Sequence, residues 1–87
     1  MEYEIKNGKG NIKEYNDNGE LEFEGEDLNG ERNGKGVEYN YKGNLIFEGI
    51  YLNGKRWNGK GYYIAPHAEY KIKLEYIDGK VFELGYE

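Results

Sequence analysis

The sequence contains no serine, threonine, cysteine or glutamine among its 87 residues. The usual hydroxyl and thiol nucleophiles are therefore missing, and tyrosine supplies the only side-chain hydroxyls. The single histidine, His67, excludes a pair of imidazoles that would bind a metal or exchange protons, whereas oxygen ligands from Asp and Glu remain available. We therefore expect a protein that is not an enzyme and that holds no cofactor and no metal.

Long apolar segments are also missing, and no run approaches the roughly 18 residues that a membrane span requires. Together with the lack of a charged and then apolar N-terminal signal, this predicts a soluble, cytoplasmic protein or domain. The formal net charge of −5 repels anionic lipid and nucleic acid at long range, so no nucleic-acid partner is expected. Aromatic residues make up 16% of the chain, which favours a folded domain because disordered chains lack aromatics.

The most informative feature that is present is an internal repeat, whose two copies are offset by 24 residues from the EYN motif onward. Both copies contain NGKG, then EYN, a Gly, a strand-like segment and F-E-G-x-x-L-N-G-x-R. A unit this short cannot bury an apolar face alone, so neighbouring copies must stack. We expect one domain over residues 1–87, with repeat 1 at about 7–32, repeat 2 at about 33–57, and a partial repeat with a divergent capping hairpin at 58–87.

Alternation of residue types within each copy predicts β-strands. Residues 20–26 alternate Glu with other residues, which places Leu21 and Phe23 on one face and the glutamates on the other. The fold class that follows is all-β, built from hairpins with a half-buried apolar face. The equivalent apolar residues in the second copy are Leu45, Phe47 and Tyr51.

Three-residue loops are predicted inside both copies. Tyr15 shares a face with Leu21 only if the loop between their strands has an odd number of residues, and the same holds for Tyr39 and Leu45. Such loops typically end in a left-handed Gly within a β-bulge. The predicted loops are Asp17-Asn18-Gly19 and Tyr41-Lys42-Gly43.

Asn-Gly pairs between the hairpins are typical of type I′ turns, in which both central residues have positive φ. They place Asp27 opposite Arg32 as a cross-strand ion pair and Tyr51 opposite Arg56 as a cation–π contact. The two turns are Asn29-Gly30 and Asn53-Gly54.

The tail from Tyr70 to Tyr86 predicts a third hairpin that caps the stack. A three-residue loop at Ile77-Asp78-Gly79 sets Leu74 opposite Phe82 and gathers the large apolar residues, apart from Val81, on one face. A two-residue Asp78-Gly79 loop would set Leu74 against Glu83, so the three-residue loop is preferred. The other expected pairs are Ile72 with Leu84 and Tyr70 with Tyr86.

The string Y-x-x-x-G-x-L-x-F-E-G-x-Y-L-N-G-x-R-x-N-G-K-G resembles the MORN (membrane occupation and recognition nexus) repeat, in the variant common in bacterial and protist proteins. The resemblance covers Tyr3 to about Tyr62. It implies a single-layer, elongated, twisted antiparallel sheet of stacked hairpins that serves protein contact, dimerisation or tethering. Asp27 departs from the pattern by replacing a Tyr, and two insertions, Asn11-Ile12 and Trp57, are expected to form bulges.

A strip of aromatic side chains is the candidate binding surface, since a single-layer sheet has no second layer to cover its apolar face. Interface hot spots favour Trp, Tyr and Arg. We therefore expect a non-catalytic binding or scaffolding module that contacts a protein or peptide partner, or a second copy as a homodimer, through exposed aromatics. The expected partner-binding residues are Tyr39, Tyr51, Arg56, Trp57 and Tyr62.

Charged residues suggest two alternatives. A basic ladder would tether the chain to anionic membrane lipid, and an acidic row would attract a basic peptide or a divalent cation, although a solvated role is favoured for both. An antitoxin-type or immunity-type inhibitor is a third alternative. Residues 30–36 lack the Ser or Thr and the following helix of a phosphate loop, and His67 is expected to be an ordinary residue of the connector 64–68. The ladder is Lys9, Lys35 and Lys60, and the row is Glu20, Glu22, Glu24 and Glu26.

Overall fold

The computed structural model of the protein describes residues 2–6, 9–65 and 70–86, so His67 lies outside the described residues. The described part of the chain consists of strands and their connections and contains no helix. The strands are β1 (Glu2–Lys6), β2 (Lys9–Tyr15), β3 (Leu21–Leu28), β4 (Glu31–Tyr39), β5 (Leu45–Leu52), β6 (Lys55–Ile64), β7 (Lys71–Ile77) and β8 (Lys80–Tyr86).

All eight strands belong to one open sheet, and their order in space is their order in the sequence. Every neighbouring pair is antiparallel. The molecule measures 42 × 32 × 13 Å, and its smallest dimension leaves no room for a second layer of backbone, because stacked sheets lie roughly 10 Å apart. The predicted single-layer antiparallel sheet of stacked hairpins is therefore confirmed.

Both three-residue loops are confirmed. In the first, the Asn16 N–H donates to the Glu20 carbonyl at 2.8 Å, and the Gly19 N–H donates to the Asn16 carbonyl at 2.9 Å. Gly19 has a φ of +81°, and Gly43 in the second loop has a φ of +82°. The Asn16 side chain adds a cap, since its Oδ1 accepts the N–H groups of Asn18 and Glu20, both at 2.9 Å. This capping role explains the Asn of the EYN motif.

A β-bulge after each loop overturns one expectation about faces. The register passes from Tyr15 opposite Leu21 to Glu14 opposite Phe23, which leaves Glu22 as an extra residue. Paired residues point to the same side and Tyr15 and Glu14 point to opposite sides, so Leu21 and Phe23 lie on opposite faces. The shared face of Tyr15 and Leu21 is confirmed, but the shared face of Leu21 and Phe23 is wrong. The second copy repeats this arrangement at Leu45, Ile46 and Phe47.

The Asn-Gly turns have the predicted geometry. Asn29 and Gly30 have φ angles of +52° and +90°, and Asn53 and Gly54 have +51° and +84°. The predicted register is confirmed at both turns. The resulting pairs are Asp27 with Arg32 and Tyr51 with Arg56.

The C-terminal hairpin differs from the prediction. Its turn is the two-residue Asp78-Gly79, with φ angles of +50° and +83°, and Leu74 lies opposite Glu83. Asp-Gly suits a type I′ turn, and β6 holds the turn in place. The Asp78 N–H donates to Asn58 Oδ1 and the Gly79 N–H donates to the Trp57 carbonyl, both at 2.9 Å. The turn therefore continues the Asn-Gly series and does not resemble the three-residue loops.

The two insertions behave differently. Trp57 is the extra residue between the pairs Tyr51–Arg56 and Ile50–Asn58, so the predicted bulge is confirmed. Asn11-Ile12 forms no bulge, because both residues pair in regular register with β3. Ile12 is only 4% exposed, and its burial in the core is the reason that the ladder stays regular there.

One side of the sheet, which we call the core face, carries the fully buried rings of Phe23, Phe47 and Tyr51. Ile12 and the half-buried Tyr76 complete this cluster. Successive rings meet edge to face, with centroid distances of 5.1 Å for Phe23–Tyr51, 5.2 Å for Tyr51–Phe47 and 5.1 Å for Phe47–Tyr76. This geometry suits aromatic quadrupoles and links β3, β5 and β7 through one row of rings. We call the opposite side the outer face.

Glycines beneath these rings make the close approach possible. A Cβ on Gly36 would lie 2.6 Å from the Phe23 ring and 2.8 Å from the Tyr51 ring. A Cβ on Gly49 would lie 2.2 Å from the backbone oxygen of Asn58. The glycines of the F-E-G and N-G-K-G motifs therefore serve packing between hairpins as well as turns. The aligned row across β3 to β6 is Gly25, Gly36, Gly49 and Gly59.

Candidate functional site

Polar groups on the core face form a continuous network that we call the charged ladder, consisting of Glu14, Arg32, Glu38, Arg56 and Tyr76. The Arg32 Nε donates to Glu14 Oε2 at 3.0 Å, and its Nη1 lies 3.4 Å from Glu38 Oε1. The Arg56 Nε and Nη2 donate to the two oxygens of Glu38, both at 2.9 Å. The Arg56 Nη1 donates to the Tyr76 hydroxyl at 2.8 Å. The ladder thus crosses from β2 to β7.

The guanidinium groups of the charged ladder also lie over the buried rings. The Arg32 Cζ is 4.2 Å from the centroid of Phe23 and 5.7 Å from that of Tyr51. The Arg56 Cζ is 5.1 Å from the Phe47 centroid and 5.5 Å from that of Tyr76. The predicted cation–π contact between Arg56 and Tyr51 is therefore wrong, because the Arg56 guanidinium lies over Phe47 and Tyr76 instead. Each cation covers the aromatic rings on both sides of its own strand, which is a favourable cation–π geometry.

Glu38 is the centre of the charged ladder. Burial alone would raise the pKa of its carboxyl, but hydrogen bonds from Arg56 and Tyr51, with the charges of Arg56 and Arg32, hold that pKa below its ordinary value. For Arg32, burial alone would lower the pKa. Its hydrogen bond and charge interaction with Glu14 raise the pKa instead. Both groups therefore stay charged, and the charge of Glu38 is matched inside the protein.

Tyr51 is a core residue and not an exposed one. Its ring is 1% exposed, and its hydroxyl donates to Glu38 Oε1. Burial and the bond to Glu38 both raise the pKa of Tyr51, so the hydroxyl stays protonated. The expectation that Tyr51 is exposed is wrong, since the second copy uses this Tyr to fill the space between Phe23 and Phe47.

The sequence contains a signal for the charged ladder besides the apolar pattern. Glu14 and Glu38 are both the Glu of an EYN motif, and Arg32 and Arg56 both follow an Asn-Gly turn. Equivalent charged residues of opposite sign within a repeat indicate a network between copies. Its carboxylates and guanidiniums bind each other, so the charged ladder holds the hairpins together and offers no open catalytic site.

The remaining predicted partner-binding residues do not form one strip. Trp57 is half-buried, and a Cβ on Gly79 would lie 2.8 Å from its ring, so this indole covers the last turn. Tyr62 is half-buried on the outer face, with the Lys71 Nζ 4.5 Å from its ring centroid. Tyr39 lines, with Leu21, a shallow cavity of about 300 Å³. Arg56 belongs to the charged ladder, so the five residues are divided between the two faces.

The three lysines of the proposed basic ladder do not align across the sheet. Lys9 lies opposite Leu28, Lys35 opposite Ile50, and Lys60 opposite Glu48. Lys60 also lies opposite Glu75 on its other side. A continuous basic row is therefore wrong, and the favoured solvated role agrees with the exposure of all three.

Among the described side chains, exposed apolar ones are concentrated on β8. Every residue of β8 is exposed, including Val81 at 54%, Phe82 at 47%, Leu84 at 58% and Tyr86 at 71%. Among the described residues, β8 is hydrogen-bonded to β7 alone. This edge therefore combines exposed apolar side chains with one side of the backbone that no other described strand pairs.

Comparisons with models of protein families, with curated proteins and with solved structures find no match for this chain. No helix in the described part of the chain is long and apolar enough to cross a membrane. The described Asp, Glu and other potential ligands form no group of three or more that would hold a metal ion.

Proposed function

We propose that the chain is a non-catalytic protein-binding module that pairs the edge of β8 with an extended strand of another polypeptide. The observation that carries this proposal is the exposure of all of β8 at the edge of a sheet. An edge strand presents unpaired N–H and C=O groups that another strand can satisfy, and its side chains supply the apolar contact.

Native sheets usually protect such an edge with charges, Pro or a covering segment. β8 has only Lys80 and Glu83 as charged residues along seven positions, and its exposed apolar side chains occur on both faces. β8 contains one β-bulge, with Leu84 as the extra residue, and its regular stretch from Lys80 to Glu83 is open to pairing on the side away from β7. The function is therefore contact between proteins, with a second copy or a different protein as the strand that binds.

The MORN resemblance favours the same class of function and remains a prediction. An anionic-lipid tether is the second candidate from the sequence, but Lys9, Lys35 and Lys60, on which it was based, form no continuous row. An inhibitor of the antitoxin or immunity type is a special case of protein binding, and it would appear as one stoichiometric complex.

The test compares three immobilised proteins for the binding partners they retain from cell extract: the wild type, the double variant Val81→Lys and Leu84→Lys, and the control Tyr41→Lys. Tyr41 is 66% exposed in a hairpin loop, so the control removes an equally exposed apolar side chain far from β8. We expect a discrete partner that the double variant loses and the control retains. Sedimentation over a concentration range identifies a second copy as the partner. Equal retention by all three proteins would refute the proposal.

A further inference from the structure

The outer face beside β8 carries a cluster of cations that we call the lysine patch: Lys60, Lys71, Lys73 and Lys80. The register places these lysines on one face, since paired residues point to the same side. Lys73 lies opposite Tyr62, and Lys60 lies opposite Glu75. Glu75 in turn lies opposite Phe82. Lys71 and Tyr62 are in direct contact, which places Lys71 on the same face. Lys80 is two residues before Phe82 and shares its side of β8.

Apolar side chains are interspersed with the lysine patch. A shallow cavity of about 210 Å³ is lined by Lys60, Gly61, Tyr62, Lys73, Leu74 and Leu84. Leu84 and Phe82 are 58% and 47% exposed. Glu75 is the one carboxylate that the strand register of β6 to β8 places on this face, since Glu83 pairs with Leu74 on the core face. The surface next to the open edge is therefore apolar and cationic.

Resting on the proposed function, we propose that the strand bound by β8 is an acidic segment of a partner protein, in which Glu or Asp alternates with apolar residues. Side chains of an added strand alternate between the two faces. Those on the outer face lie beside Lys80, Phe82 and Leu84 of β8, and Lys71 and Lys73 are one strand further away. Charge complementarity of this kind raises the association rate and selects the partner. β8 of a second copy is a poorer fit, because it has one Lys and one Glu and is not acidic.

A strand fits this surface better than an anionic membrane does. A bilayer offers no strand to pair with the β8 backbone, and it would meet the outer face as a plane. The same face carries Glu24, Glu26 and Glu48 on β3 and β5, and the whole chain has a net charge of −5. Those charges repel an anionic plane. Although Glu48 lies opposite Lys60, the strands β6, β7 and β8 separate all three glutamates from a peptide bound at the edge.

The experiment measures binding of two synthetic peptides to the full chain by fluorescence anisotropy. One peptide alternates Glu and Val, and the other alternates Lys and Val. The test variant is Lys73→Glu with Lys80→Glu, and the matched control is Lys9→Glu with Lys42→Glu, which makes the same change in charge away from β8. We expect the acidic peptide alone to bind, with about tenfold weaker binding to the test variant, unchanged binding to the control, and a loss of affinity as salt is added.

The proposal is overturned if neither peptide binds, if the basic peptide binds as well, or if the test variant binds normally. Binding to vesicles of acidic phospholipid without binding to the acidic peptide would overturn it in favour of a lipid surface. The edge variant Val81→Lys with Leu84→Lys separates strand pairing at β8 from the preference for an acidic strand. If the edge variant loses its cellular partner while Lys73→Glu with Lys80→Glu keeps it, strand pairing stands and the preference for an acidic strand is refuted.

Discussion

β6 and β8 occupy equivalent positions after a type I′ turn and have opposite environments. Each follows a type I′ turn, and the second residue after the turn is Arg56 in β6 and Val81 in β8. Arg56 binds Glu38 and Tyr76 and holds β6 between its two neighbours, whereas Val81 is 54% exposed. The turn alone therefore suffices to form a hairpin, and the side chains that follow it decide whether another hairpin is held. β8 keeps the turn and loses those side chains.

The largest expected effect comes from truncating one Phe in each of these two environments. Phe47 is 0% exposed between Tyr51 and Tyr76, and Phe82 is 47% exposed on β8. Phe47→Ala should lower the free energy of unfolding by about 3 to 5 kcal/mol, because it removes a buried ring and leaves a cavity. Phe82→Ala should change it by less than about 0.5 kcal/mol. Denaturant titration of both variants gives the two values, and equal losses would show that β8 is covered in solution.

The next largest loss of stability is expected in the charged ladder, which has no member on β8. Glu38→Gln removes the charge that accepts hydrogen bonds from Arg56 and Tyr51, and we expect a loss of about 2 kcal/mol at neutral pH. Gln keeps the size of the side chain, so the loss reports charge and not volume.

The same residue predicts a pH dependence. The pKa of Glu38 is lowered from 4.5, so its stabilisation is fully present above about that pH and is lost as the pH falls through the lower folded-state value. The difference in unfolding free energy between wild type and Glu38→Gln should therefore shrink below pH 4.5. A difference that stays constant down to strongly acidic pH would contradict the proposed role of this charge.

The sequence allowed the sheet, the loops and the turns to be predicted, because each depends on local residues such as Gly19 and Asn53-Gly54. The tail failed where two local rules competed. Gathering Leu74 and Phe82 on one face favoured a three-residue loop, while Asp78-Gly79 favoured a two-residue turn, and the two-residue turn is the one that hydrogen-bonds to β6. Those bonds depend on Trp57 and Asn58, which lie far away in the sequence.

The candidate site was less predictable for the same reason. The sequence alone does not distinguish a buried aromatic residue from an exposed one, as Tyr51 and Trp57 illustrate. Only the packing of neighbouring hairpins separates the two cases. Tyr51 fills the core, while Trp57 covers the turn at Gly79. The exposed edge of β8 followed from neither composition nor alternation, since it depends on which strand is the last in the sheet.

A third test uses the hairpin loops, whose strain is independent of neighbouring hairpins. Gly19 and Gly43 have positive φ, and nothing lies within 4 Å of a Cβ built on either. Gly19→Val and Gly43→Val should each cost more than about 1 kcal/mol through backbone strain alone. Unfolding free energies within about 0.5 kcal/mol of wild type at both sites would contradict the left-handed assignment.

The smallest expected effect sharpens the comparison between an interior turn and the edge turn. Asn33 Oδ1 accepts the Asn53 N–H at 3.1 Å, and Asn58 Oδ1 accepts the Asp78 N–H at 2.9 Å, so the Asn of the second and of the third N-G-K-G motif holds the turn that follows. Asn33→Ala and Asn58→Ala should each cost about 1 kcal/mol.

The two Asn variants should differ in how far they speed amide hydrogen exchange. The hairpin of β7 and β8 is hydrogen-bonded to β6 on one side only, whereas the turn at Asn53 belongs to a hairpin flanked by β4 and β7. Asn58→Ala should therefore speed amide hydrogen exchange throughout β8, while Asn33→Ala should speed it only at its own turn, because local opening follows the number of supporting contacts. Exchange measured by NMR on both variants tests this difference. The same local pattern in both would mean that β8 is supported as firmly as an interior strand, and the open edge on which partner binding depends would then be absent in solution.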